Sequence, residues 1–208
     1  MSGGRPLVRG LALLNDLAAI RALHGEAPVL RFVERLTPSQ RAEYEAGLLP
    51  GRWYDEELQA RLFAALGEQL DDASLVRVGV AIVKYHVSRT QRFLARIAGP
   101  RRLMQRSSGL WSYWRDRGRL VVEALDDTSA RVAVLDHPVM ASPGYALIYG
   151  AASAYAVYLS GVREVRVRVD VEQPSRIVAH VHWAPHAESA AGFHSIDAAV
   201  ETLPDVLG

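Results

Sequence analysis

The chain has 208 residues, half of them hydrophobic and under a quarter charged, a globular balance that excludes global disorder. Its formal net charge of +1 gives no overall field favouring nucleic acid or an acidic substrate. Cysteine is absent, which excludes disulfides, thiolate nucleophiles and Cys-ligated metal centres.

Residues 1–6 read as a loose tail. From Val8, apolar residues at Leu11, Leu14, Leu17, Ala18 and Leu23 make a helical stripe that Gly25 can end. The stripe is interrupted by Asn15 and Asp16, so it lacks a signal peptide's apolar core. No later stretch reaches the ~20 apolar residues of a membrane span, and a cytoplasmic location is expected. Val29 to Leu36 reads as a second helix. Thr37-Pro38 matches an N-cap with proline at the first helical position, opening a third helix to about Ala46. Trp53-Tyr54 precedes Asp55, an N-cap candidate, with Glu56 and Glu57 in a first turn where carboxylates suit the helix dipole. Residues 73–86 are rich in β-branched side chains but run too long without a turn for a strand, so a buried helix is preferred, with Gly79 permitting close packing. Ser88 to Ala98 is helical, with Phe93, Leu94 and Ile97 expected inward. Gly99-Pro100 breaks it, and short helices follow to Arg106 and from Leu110 to Gly118.

At Arg119 the period changes from helical to two. Residues 119–125 and 129–136 read as a hairpin, and Tyr145 to Ser160 as an alanine-rich helix. Arg163 to Trp183 forms a second hairpin, in which Val165, Val167, Val169 and Val171 alternate with charged residues. The fold class is therefore α+β: a helical N-terminal half packed on a four-stranded antiparallel sheet of two hairpins, with a long helix between them. Residues 1–185 are expected to form a single domain. Residues 186–208 are read as a flexible C-terminal tail with one marginal helix near Ile196–Leu203.

Several short landmarks resemble an uncharacterised paralogous family from myxobacteria. They are Val8-Arg9-Gly10, His24-Gly25-Glu26, Leu36-Thr37-Pro38, Trp53-Tyr54, Ala98-Gly99-Pro100-Arg101, Trp111 and the Pro143 to Gly150 stretch. The layout also resembles the fold shared by haem-nitric-oxide sensor domains, four-vinyl-reductase-type ligand domains and Bet3-like subunits of vesicle-tethering complexes. That resemblance implies ligand binding between helices and sheet in some members, and dimerisation in many. It also raises haem. Tyr85-His86-Val87-Ser88-Arg89 contains the residue types for iron and propionates, but its spacing departs from the sensors' Tyr-x-Ser-x-Arg and no proximal histidine matches. No cofactor is therefore expected.

His180 and His182 share a strand face, with His186 and His194 beyond, yet Arg166 and Arg168 oppose a cation there, so no metal is assigned. Arg89, Arg92 and Arg96 form a basic stripe best read as a solvated face, without a nucleic-acid module. Asp136-His137-Pro138 could orient a proton but reads more simply as a turn. No nucleophile–base set appears, and no enzyme activity is expected. The leading expectation is a non-catalytic sensory or regulatory domain holding a small apolar ligand, with Trp111, Trp114, Tyr145 and Tyr149 as its lining. The alternative is an adaptor that forms a homodimer or binds a protein partner, with no pocket.

Overall fold

The computed structural model describes residues 5–137, 142–173, 176–183 and 192–204. The chain opens with β1 (Leu7–Arg9), which pairs antiparallel with β2 (Trp53–Asp55), Val8 opposite Tyr54. Sequence gives no hint of this ribbon, because three residues are too few to show a period. Between the two strands lie α1 (Gly10–His24), α2 (Ala27–Glu34) and α3 (Pro38–Glu45). Gly25 ends α1 with φ +70° and Thr37 caps α3, as the sequence suggests; Gln40 completes a reciprocal capping box with Thr37. Next come α4 (Glu57–Gly67), α5 (Asp72–Lys84, capped by Asp71) and α6 (Arg89–Trp114). Residues 73–86 are thus largely helical. In α6, Gly99 adopts φ +72° and kinks the helix ahead of Pro100, but residues 107–109 continue it where a turn is expected.

The sheet follows: β3 (Arg119–Leu125), β4 (Ser129–Leu135), β5 (Arg166–Gln173), β6 (Arg176–His182) and β7 (His194–Ser195), with α7 (Pro143–Tyr158) between β4 and β5 and α8 (Ile196–Glu201) last. The spatial order is β3-β4-β6-β5-β7, antiparallel throughout. The expected four strands are therefore five. His194 and Ser195 pair with Val167 and Arg166, capping the edge that β5 would otherwise expose. The reading of 186–208 as a flexible tail is corrected over its described part. Ile196, Ala199 and Leu203 enter the core, and the Asp197 carboxylate accepts from the Val165 amide at 2.9 Å.

Helix α7 lies between α5 and the sheet, and small residues let it fit there. A side chain on Gly79 would strike the Ile148 carbonyl, and one on Gly150 the Val169 side chain. Gly144 likewise meets Gly67 backbone to backbone. Val165 and Val167 are fully buried beneath this layer, whereas Val171 reaches solvent. On the open sheet face, Arg131, Arg176, Glu123 and Glu172 form linked ion pairs. No described helix is long and apolar enough to cross a membrane.

Candidate functional site

The most unusual chemistry lies where α4, α6, α7 and the end of β4 meet. Glu56, at the start of α4, has no exposed surface, and Gln59 lies one turn along the same face. The β1–β2 ribbon positions Glu56, whose amide donates to the Pro6 carbonyl at 2.9 Å. Arg115 follows α6 in extended conformation and bridges to Val8 of β1. Its Nε donates to Glu56 Oε1 at 2.7 Å, and an Nη donates to Gln59 Oε1 and to the Tyr145 hydroxyl, each at 2.9 Å. The Tyr145 hydroxyl in turn lies 3.0 Å from Glu56 Oε1 and 2.7 Å from Gln59 Oε1, either of which can accept its hydrogen bond. His137 Nε2 meets the other oxygen, Glu56 Oε2, at 2.8 Å, while its buried Nδ1 has no hydrogen-bond partner. Gln59 Nε2 donates to Asp16 Oδ2 at 2.6 Å, which carries the chain into α1.

Aromatic rings wall this network. The Arg115 guanidinium lies over Trp111 at 4.8 Å and Tyr149 at 5.6 Å, and Trp111 stands edge-on to both His137 and Tyr149. Trp111 Nε1 donates to the Arg117 carbonyl at 2.8 Å.

Burial opposes the charge on Glu56, but the His137 hydrogen bond and the Arg115 charge outweigh it and hold its carboxyl below the usual range. Burial dominates at Asp16 and pushes it up to about 7, against the Gln59 hydrogen bond and the Arg115 charge. Burial also raises Tyr145 well above its ordinary value and Tyr149 to about 12. Near neutral pH, Glu56 is thus the carboxylate that balances Arg115, and both tyrosines keep their protons.

Of the four aromatic residues singled out in the sequence, Trp111, Tyr145 and Tyr149 converge on Arg115. Trp114 does not, and instead meets Tyr113 edge-on. The three convergent residues pack against charged groups and each other. In the helical half, a crevice of about 10 Å³ lies among Leu13, Leu17, Phe32, Tyr44 and Leu58, room for one water at most. Sequence reading missed Asp16, Gln59, Arg115 and the inward turn of His137, and took Glu56 for a helix-dipole residue. The available signal was polar residues on apolar stripes: Asp16 beside Leu13, Leu17 and Ile20, and Gln59 beside Leu58 and Leu62.

The other candidates disperse. His180 binds Asp170 at 3.0 Å and His182 stands edge-on to Phe193, and no set of three or more metal ligands occurs among the described residues. His186 and Pro138 lie outside the described residues. Asp136 faces solvent and pairs with Arg119 at 3.2 Å, not with His137.

The fold is H-NOX-like. The chain is similar to a point mutant of the Fe(II) unliganded H-NOX protein from K. algicida, at 12% identity and TM-score 0.63, over 86% of this chain and 98% of that one. The S. oneidensis H-NOX protein in the Fe(II)NO state gives 9% identity and TM-score 0.57 over 85% and 99%. A Cs H-NOX mutant carrying 4-cyano-L-phenylalanine gives 15% identity and TM-score 0.55 over 86% and 98%. At these identities the likeness defines the fold alone. No protein-family model and no curated protein matches the sequence.

Proposed function

We propose that this protein is a non-catalytic sensory or regulatory domain whose signal is read at the seam around Arg115. The observation that carries this is the buried Arg115–Glu56 pair, which joins the helical half to α7 and, through His137, to the end of β4. Replacing such a pair by apolar residues is often neutral or stabilising. Its presence at a junction of four elements therefore suits a device that fixes one arrangement of the two halves. Non-catalytic action is supported by the mutual saturation of these groups: Glu56, Gln59, Tyr145 and Arg115 engage one another.

The described residues do not fit haem. The fully buried imidazole, His137, has Nε2 on Glu56 and its Cδ2–Cβ edge against Gly118. A small apolar ligand between helices and sheet would instead enter by turning Trp111 and Tyr149 off the guanidinium. Trp111, Tyr145 and Tyr149 would line the opened space. Kinship with the myxobacterial paralogous family and a cytoplasmic location belong to the same proposal, supported by the landmark residues that end α1, cap α3 and open α7.

Native mass spectrometry combined with a thermal-shift panel of small aliphatic and aromatic compounds tests the ligand reading. Stabilisation by a compound, lost in Tyr149→Ala, is expected. A folded protein stabilised by none of the panel would overturn it. The second reading, a homodimeric or protein-binding adaptor, is favoured by apolar residues of α6 that face outward. Phe93, Leu94 and Ile97, expected inward, are 63%, 57% and 64% exposed.

A further inference from the structure

The N-terminal part of α6 is a ridge built to meet something. The Ser88/Gln91 capping box starts it, and the positive φ of Gly99 ends its straight run. Across residues 89–97 only Ala95 is buried. At 3.6 residues per turn, Phe93 and Ile97 fall on the arc opposite Ala95, Leu94 flanks them on one side, and Arg89, Arg92 and Arg96 line the other. Large apolar side chains occupy the outermost line of the helix, where a solvated helix carries polar ones.

Charge singles out the same ridge. From Ala73 to Arg115 the chain contains no Asp or Glu, although its net charge is only +1. Arg89 and Arg96 are exposed, with no carboxylate partner among the described residues. Arg92 donates to the Lys84 carbonyl at 2.8 Å, and the exposed Arg101 reaches Asp127 only at 3.4 Å.

We propose that this ridge docks on an anionic lipid surface. Phe93 and Ile97 enter the boundary between headgroups and acyl chains, and Arg89 and Arg96 stay at headgroup level against the phosphates. A second copy of the chain is disfavoured as occupant, because an antiparallel two-fold contact along the ridge would set these arginines against their own copies, and in any orientation the element has no carboxylate to relieve them. A lipid surface supplies an apolar layer directly beneath an anionic one. That matches the side-by-side apolar and basic lines and asks for no shape complementarity from a convex ridge. The proposal assigns the exposed α6 residues to a lipid surface in place of a protein partner, and it is independent of the ligand reading, which concerns other residues.

The test is flotation of the full chain with phosphatidylcholine vesicles, with and without phosphatidylglycerol, at increasing salt. Binding at least about tenfold tighter to the phosphatidylglycerol vesicles, weakening with salt, is expected. The double variant Phe93→Ser/Ile97→Ser loses about tenfold or more of it, and Arg89→Gln/Arg96→Gln loses the preference for anionic lipid. These side chains face solvent, so both variants keep the parent's circular dichroism and thermal midpoint. The proposal is overturned by absent binding, by equal binding to both vesicle types, or by binding that survives the Phe93/Ile97 change. It is equally overturned if vesicles are ignored while that change abolishes a dimer in sedimentation velocity, since the ridge would then be a protein interface. None of these results alters the thermal shifts that test the ligand reading.

Discussion

Removing Arg115 should unfold the seam in a way that a second substitution repairs. Arg115 is 7% exposed and Glu56 fully buried, so solvent cannot take over either charge. Arg115→Met leaves the Glu56 carboxylate without its countercharge, held only by hydrogen bonds from His137 and Tyr145, and deprives Gln59 and Tyr145 of a shared donor. Breaking a buried pair from one side costs about 3–5 kcal/mol. At about 2–4 °C per kcal/mol for a chain of this size, the midpoint should fall by about 6–20 °C. Glu56→Gln alone should also destabilise, because it strands the guanidinium. The double variant Glu56→Gln/Arg115→Met buries no net charge, and its loss should fall short of the summed single losses by about 2 kcal/mol or more. Urea unfolding followed by tryptophan fluorescence and far-UV circular dichroism gives the four free energies, and coincident transitions license the two-state treatment. A loss under about 1 kcal/mol in Arg115→Met, or a double variant equal to the sum of the singles, would refute the coupled pair.

Asp16 predicts a pH dependence of the opposite sign to ordinary acid denaturation. Its carboxyl rises from 3.8 to about 7 on folding, so between those values the native chain holds a proton that the unfolded chain has released. Stability from this group is therefore complete below about pH 4 and falls as pH rises to about 7, by about 4 kcal/mol in all. Asp16→Asn keeps an acceptor for Gln59 and should flatten that fall in midpoint-against-pH scans; parallel curves for parent and variant would exclude Asp16 as its source. Glu56, held low, acts in the usual sense, its contribution being lost as pH drops below the carboxylate range. Gly79→Ala gains helix propensity but drives a methyl into the Ile148 carbonyl and to 2.9 Å from Ala151 Cβ, so a net loss of about 1–3 kcal/mol is expected in urea melts. A variant as stable as the parent would refute the close α5–α7 contact as a constraint at this position. Ile196→Ala should cost about 2–5 kcal/mol, as a fully buried side chain does, whereas a loose tail would tolerate it unchanged.

Much of the scaffold was legible because its signals are local. Gly25 and Thr37-Pro38 mark helix ends by backbone chemistry that needs no tertiary partner. Alternation marks the buried face at Val165 and Val167, though it fades by Val171, which reaches solvent. What escaped depends on distant partners. β1 and β7 are too short to carry a period and exist only through β2 and β5. Helix α6 offered two faces, apolar at Phe93 and Ile97 and small at Ala95. The small one turned inward and the apolar one outward, the reverse of what side-chain size alone predicts. The seam was hidden for a related reason. Arg115 and Glu56 are ordinary surface residue types, and only the β1–β2 ribbon, absent from any local pattern, brings them together.

The same packing decides where this fold could open. Along most of α7, backbone meets backbone or small side chains: Gly144 against Gly67, Ala151 and Ile148 against Gly79, and Gly150 against Val169. Parting those surfaces would forfeit many short dispersion contacts along a whole helix at once. At the Arg115 seam the space is filled by the side chains of Trp111, Tyr149 and Tyr145, whose rotation need not move a helix axis. Opening there uncovers a guanidinium and a carboxylate, so it is favourable only when an incoming group stacks on the rings or accepts from Arg115. A closed core and the proposed apolar ligand are therefore compatible: the Arg115–Glu56 pair keeps its own charges satisfied, and the ligand would take only the place of the rings stacked over the guanidinium.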